Sequence, residues 1–125
     1  MNKEKKYPIL LIVDDNAPLL SSWKRALQRD FEVLTATNAE DAVQQFRKRI
    51  DIALVDIRLD DEDEHNKEGV ELLQQFRAQE PDLPVVMVSG FGDVDIAVEC
   101  MRLGASDFVE KKAGLGEIKE RLFRA

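Results

Sequence analysis

The sequence predicts an α/β fold: a parallel sheet with helices on both faces. Three observations point to it. Short apolar runs, Ile9 to Val13, Ile52 to Val55 and Val85 to Val88, have the length and continuous hydrophobicity of strands covered on both sides. Each is followed by a segment whose apolar residues recur at helical spacing, and the alternation repeats along the chain. The runs also end on polar chemistry: Asp14 and Asp15, Asp56, Ser89, and, after Phe108 and Val109, Glu110 and Lys111. Strands that run the same way bring such ends to one rim, where open α/β sheets place their ligands.

The elements follow in order. A first strand, about 8 to 14, leads to Asn16 as a helix N-cap and to Pro18 in the first turn, where a missing N–H costs nothing; Leu20, Trp23 and Leu27 then mark one face. A second strand over 32 to 36 precedes Asn38, with Asp41 three residues on to return the capping interaction and Ala39, Val43 and Phe46 as the buried stripe. The third strand, 52 to 56, is apolar up to its terminal aspartate and belongs at the sheet centre. Val70, Leu73 and Phe76 define helix 3, which stops before Pro81, and Pro84 opens the fourth strand. Asp93 is the expected cap of helix 4, with Ile96, Ala97, Cys100 and Met101 facing inward and Gly104 taking the left-handed conformation past its end. Strand 5 is expected over about 106 to 111, and Leu115, Ile118 and Leu122 mark a last helix.

A chain of 125 residues suits one domain, spanning 1 to 125 with residues 1 to 7 as a flexible start. A net charge of −7 argues against direct nucleic-acid binding, which draws on cations that neutralise phosphates, and Lys3, Lys5 and Lys6 read as a solvated tail. No apolar stretch approaches the roughly 20 residues of a membrane span. With a single cysteine, Cys100, and no apolar leader, the expectation is a soluble cytoplasmic protein whose thiol is buried and structural.

The strings Leu11-Ile12-Val13-Asp14-Asp15-Asn16, Ala53-Leu54-Val55-Asp56-Ile57-Arg58-Leu59, Val88-Ser89-Gly90-Phe91-Gly92 and Leu103-Gly104-Ala105-Ser106-Asp107-Phe108-Val109-Glu110-Lys111 together resemble the receiver domain of two-component response regulators, most like those that precede ATPase-type transcription activators. The resemblance implies a doubly wound, flavodoxin-like sheet of strand order 2-1-3-4-5. It also implies that Asp56 accepts a phosphoryl group from a histidine kinase or phosphotransfer protein. Asp14, Asp15, Asp56 and the backbone carbonyl of Arg58 would hold Mg2+, with Asp14 acting mainly through water. Lys111 and Ser89 would contact the phosphoryl oxygens, and Gly90 would leave room beside the acceptor. Phe108 would be the switch aromatic, turning inward as Ser89 moves and reshaping the face of helix 4, strand 5 and helix 5. A homodimer through that face and an effector domain beyond the C-terminus are further implications. The residue chemistry agrees, because a carboxylate is already ionised near neutral pH and needs no base to attack phosphorus.

Two departures stand out. Receivers usually have proline after the strand 5 lysine, joined by a cis peptide; here Lys112 follows, so either that strained bond is kept or the loop turns differently, and Lys112 becomes a candidate stand-in for Lys111. The stretch between Asp56 and Gly69 is longer than usual and acidic, with Asp60, Asp61, Glu62, Asp63, Glu64, His65 and Asn66. It lacks the spacing of a calcium loop and reads as a solvated surface segment; its field could slow an anionic phosphodonor or favour a basic partner.

Rival functions fit less well. A flavin-phosphate site would be repelled by Asp14 and Asp15. An aspartyl-phosphate phosphohydrolase needs an acid two residues after its nucleophile, where Arg58 stands, so turnover of external substrates is not expected. Gly90-Phe91-Gly92 comes too late in the chain for a dinucleotide loop. The remaining alternative is a receiver-shaped interaction module independent of phosphorylation.

Overall fold

The computed structural model describes residues 7–60, 66–90 and 94–125. Its elements alternate as β1 (Ile9–Val13), α1 (Ala17–Leu27), β2 (Glu32–Ala36), α2 (Ala39–Phe46), β3 (Ile52–Asp56), α3 (Glu68–Gln79), β4 (Val85–Ser89), α4 (Val94–Arg102), β5 (Asp107–Glu110), a single 3-10 turn (Lys111–Ala113) and α5 (Leu115–Arg124). The five strands form one parallel sheet of order β2-β1-β3-β4-β5, as the resemblance implied.

Side chains alternate across the pleat, so each strand feeds two cores. Leu11, Val13, Ala53, Val55, Val85 and Met87 face the layer that includes Phe76 of α3 and Cys100 of α4. Leu10, Ile12, Leu54, Val86 and Val88 face Trp23 and Leu27 of α1 and Ile118 and Leu122 of α5. This double burial explains why β3 and β4 are apolar up to their last residues, Asp56 and Ser89: every residue from Ile52 to Asp56 and from Val85 to Ser89 is buried.

The Asn16 and Asn38 caps form as the sequence implied. Asn16 Oδ1 accepts the Leu19 amide at 3.0 Å, with Pro18 in the first turn. Asn38 Oδ1 accepts the Asp41 amide at 2.7 Å, and the return contact comes from the Asn38 side-chain amide to the Asp41 carboxylate at 3.3 Å. In α2 the deeply buried residue is Ala42; Ala39, Val43 and Phe46 pack partly buried against the core, where the Phe46 ring stacks on Phe76 at 4.2 Å.

Three expectations need correction. β1 is shorter than expected and ends at Val13, leaving Asp14 and Asp15 just beyond the ladder. β5 ends at Glu110 because the backbone turns into the 3-10 helix at Lys111, and no cis peptide is found among the described residues. Met101 does not face inward: it is 47% exposed, because α4 buries Cys100 completely and otherwise packs Ile96 against the core, with Leu103 following just past its end. Val94 and Val98 are exposed on the same helix. The expected cap Asp93, the acidic residues Asp61 to Glu64 with His65, and Lys3, Lys5 and Lys6 lie outside the described residues.

Candidate functional site

The site forms where β1 and β3 lie side by side. Val13 is in register with Val55, so the next residue of each strand, Asp14 and Asp56, emerges at the same rim. Both are deeply buried, at 0% and 3% exposure, while Asp15 is partly buried. The backbone holds Asp14 in place, its amide bonded to Ala36 O at 3.1 Å and its Oδ1 accepting the Asn16 amide at 2.9 Å. Carboxylate oxygens of Asp14, Asp15 and Asp56 lie within 4.8 Å of one another.

Lys111 completes the cluster from the opposite side. Its ammonium lies 2.9 Å from Asp14 Oδ2 and donates to Asp56 Oδ2 at 3.2 Å. Burial raises the pKa of Asp14, outweighing the lowering by Lys111 and the Asn16 amide. Burial alone would lower that of Lys111, but the facing charges of Asp56 and Asp14 prevail and its pKa is raised, so it remains an ammonium. One ammonium against three clustered carboxylates leaves an excess of negative charge. Buried charges of one sign call for a counter-ion, and an all-oxygen donor set suits a hard divalent cation.

The proline departure does not displace the lysine. The 3-10 turn directs Lys111 into the cluster, whereas the Lys112 side chain is 65% exposed and lies 4.0 Å from Glu110. Arg58 is partly buried two residues past Asp56. Ser89 ends β4 fully buried, its hydroxyl donating to Gly90 O at 3.2 Å. At Gly90 an added Cβ would meet no atom within 4 Å, so that position is open. Phe108 is partly buried in β5 and lines a groove of about 420 Å3 with Val94, Ala97, Ala113, Glu117 and Arg121.

Two supporting residues were not read from the sequence as parts of the site. Gly69 brings the first turn of α3 onto the end of β3: its amide donates to Ile57 O at 2.9 Å, and a Cβ there would sit 2.7 Å from Ile57 Cα and collide with the Asp56 carbonyl. Asn66 accepts the amides of Leu59 at 3.0 Å and Glu68 at 3.1 Å, tying together the two sides of the loop beside the site. A glycine at the mouth of a helix and an Asx residue before it were the available signals.

A doubly wound sheet whose acidic cluster faces a lysine at the strand ends places a group able to hold a hard cation where such sheets bind their ligands. The comparisons give the family. Residues 10–123 match the family model of the response regulator receiver domain, and the chain belongs to that family. It is 37% identical over 106 residues to the C4-dicarboxylate transport transcriptional regulatory protein DctD of Pseudomonas aeruginosa, covering 82% of this chain and 21% of that protein. The chain therefore spans about a fifth of that relative's length. Its fold is similar to the CheY-like receiver domain protein of Methanospirillum hungatei, with a TM-score of 0.84 and 27% identity over 95% of this chain and 93% of that one. It is also similar to the receiver domain of NtrX from Brucella abortus, with a TM-score of 0.80 and 30% identity over 92% and 95% of the two chains. In a longer NtrX chain solved with ATP, the matched part is 26% of that chain, at 31% identity, 93% coverage of this chain and a TM-score of 0.81.

Proposed function

We propose that this chain is a phosphoacceptor receiver in which Asp56 takes a phosphoryl group from a histidine kinase or a phosphotransfer protein. The observation that carries the reading is the convergence of Lys111 on Asp14 and Asp56, with Asp15 close enough to share a cation. Asp14, Asp15, Asp56 and the carbonyl of Arg58 would hold Mg2+, which when bound supplies charge neutralisation for an incoming phosphoryl group. The chain's own residues do the rest. Asp56 presents its carboxylate at the rim, Lys111 stands ready to transfer its contact from carboxylate to phosphoryl oxygen, and open Gly90 leaves an approach.

The output would leave through the face of α4, β5 and α5. Ser89 would exchange its bond to Gly90 O for a phosphoryl oxygen, and Phe108 would turn toward the vacated space, changing the groove it shares with Val94 and Arg121. The exposed Val94, Val98 and Met101 on α4 give that face an apolar stripe suited to a second copy of the chain. An effector beyond the C-terminus, of a kind that binds a nucleotide, accords with the longer NtrX chain solved with ATP. The chain would work in the cytoplasm, as a signalling domain without external substrate; among the described residues no helix is long and apolar enough to cross a membrane.

The phosphorylation-independent module is the weaker reading, since a chain that had abandoned phosphoryl chemistry has no need to keep Lys111 against two buried carboxylates. Incubation with Mg2+ and a small acyl phosphate donor tests the choice. The expected result is an acid-stable, base-labile adduct that Asp56→Asn abolishes; no adduct in the parent chain favours the module.

A further inference from the structure

We propose that Arg77 is a positioning residue that fixes the C-terminal end of α4, so that a change at the acidic pocket displaces α4 at its Val94 end and pivots it about Gly104. The displacement rests on the phosphoacceptor reading; the clamp does not.

Arg77 stands in the last turn of α3 and is partly buried. Its guanidinium meets four backbone carbonyls from two separate loops. Nη1 donates to Glu80 O at 3.2 Å, Pro81 O at 2.8 Å and Leu83 O at 2.7 Å, its two hydrogens shared among the three, and Nη2 donates to Gly104 O at 2.6 Å. Only a planar fork with several donors can bridge carbonyls in this way; a lysine ammonium has a single nitrogen. The loop that opens β4 is thereby joined to the loop that closes α4.

The α4 end is shaped for the contact. Gly104 has φ +104°, and the Gly104 and Ala105 amides return to Met101 O at 3.2 Å and Cys100 O at 3.0 Å, the paired bonds of a Schellman cap. Glycine is required twice here, by the positive φ and because a Cβ would lie 2.9 Å from Arg77 Nε. A second link follows at once, with Ser106 N bonded to Val85 O at 2.8 Å and Ser106 Oγ accepting the Val85 amide at 3.1 Å. Among the described residues the other end of the helix is more exposed: Val94 is 72% exposed, and Cys100, in the last turns, is the one fully buried residue of α4. A helix tied at one end and lightly packed at the other moves about the tied end.

The test is NMR on the 125-residue chain, its Arg77→Met variant and its Arg77→Lys variant, each with Mg2+ alone and with Mg2+ plus beryllium fluoride as a phosphoryl mimic. In the Mg2+-only samples, Arg77→Met should lose about tenfold or more of its amide-exchange protection at Leu103 to Ser106, while Leu11 and Ala53 in the core strands keep theirs. Arg77→Lys, which retains the charge, should behave like Arg77→Met. With the mimic, shifts in the parent chain should be largest at Val94 to Ala97 and fade toward Gly104, and in both variants they should extend through Ser106. Unchanged protection at Leu103 to Ser106, full retention in Arg77→Lys, or a loss spread equally over the core strands overturns the clamp. Parent shifts as large at Gly104 as at Val94 overturn the pivot. If the mimic shifts no resonance in any sample, the phosphoacceptor reading fails and the pivot with it, while the exchange data still decide the clamp.

Discussion

Lys111 Nζ donates to Asp56 Oδ2 at 3.2 Å although the two residues are 55 positions apart in the chain. Parallel topology makes the meeting possible: β3 and β5 both deliver their C-terminal ends to one rim, with only β4 between them. The same lysine lies 2.9 Å from Asp14 and so acts as the built-in counter-charge of the pocket.

Replacing Lys111 with methionine leaves its carboxylates facing one another without that cation. The Lys111 side chain is 23% exposed, so the loss is smaller than for a fully enclosed pair, and stability without divalent cations should fall by roughly 2 kcal/mol. Mg2+ should restore more stability to the variant than it adds to the parent, because it then supplies the missing positive charge. Urea unfolding with and without Mg2+ checks this; an equal response in both chains counts against it.

Mg2+ should stabilise the folded parent by mass action, by about 2.7 kcal/mol at a hundred times its dissociation constant, and chelation should reverse the gain. Asp15→Asn removes one of the three carboxylates that lie within 4.8 Å of each other and should abolish most of the effect. Melting temperatures across a Mg2+ titration give the readout. A variant that responds like the parent would show that Asp15 is not a ligand.

How much of this was legible beforehand differs from element to element. The meeting of Asp14, Asp15, Asp56 and Lys111 at one rim followed from apolar runs ending on polar residues, because burial on both faces leaves a local signature, whereas the strand order came only with the resemblance to receivers. The inward placing of Met101 failed because helical spacing marks a stripe without saying how wide the contact is; α4 is buried over little more than Cys100. The aim of Lys111 after a missing proline was not legible, since a 3-10 turn reaching the same point has no sequence pattern of its own. Nor was Arg77 singled out: a surface-helix arginine looks the same whether it is solvated or bonded to four carbonyls.

Gly69→Ala should be among the most damaging small substitutions in the chain. Its Cβ would lie 2.7 Å from the Ile57 Cα and against the Asp56 backbone, so α3 must move away from the site. A loss of roughly 3 kcal/mol is expected, with weaker Mg2+ binding as the end of β3 shifts. Denaturant unfolding and calorimetric Mg2+ titration measure the two effects; a change below about 0.5 kcal/mol would contradict the close contact.

The Cys100 thiol should resist alkylation. Burial, with a smaller contribution from Glu99, pushes its pKa from 9.0 up to about 11. The thiolate fraction near pH 8 is then about a hundredfold below that of an unshifted thiol. Because the folded value exceeds the unfolded one, the stability tied to the neutral thiol is complete below pH 9 and is lost as the pH rises toward 11. Alkylation rates from pH 7 to 10, native and in urea, should differ strongly; equal rates would mean that the thiol is exposed.

The most direct measurement is the position of the phosphoryl group itself. After reaction with a small acyl phosphate and Mg2+, borohydride reduction converts an aspartyl phosphate to homoserine, which peptide mass spectrometry locates. The account predicts homoserine at position 56 alone, absent without Mg2+ and in Asp56→Asn. Conversion at another aspartate, or none in the parent chain under conditions where Mg2+ binds, would contradict it.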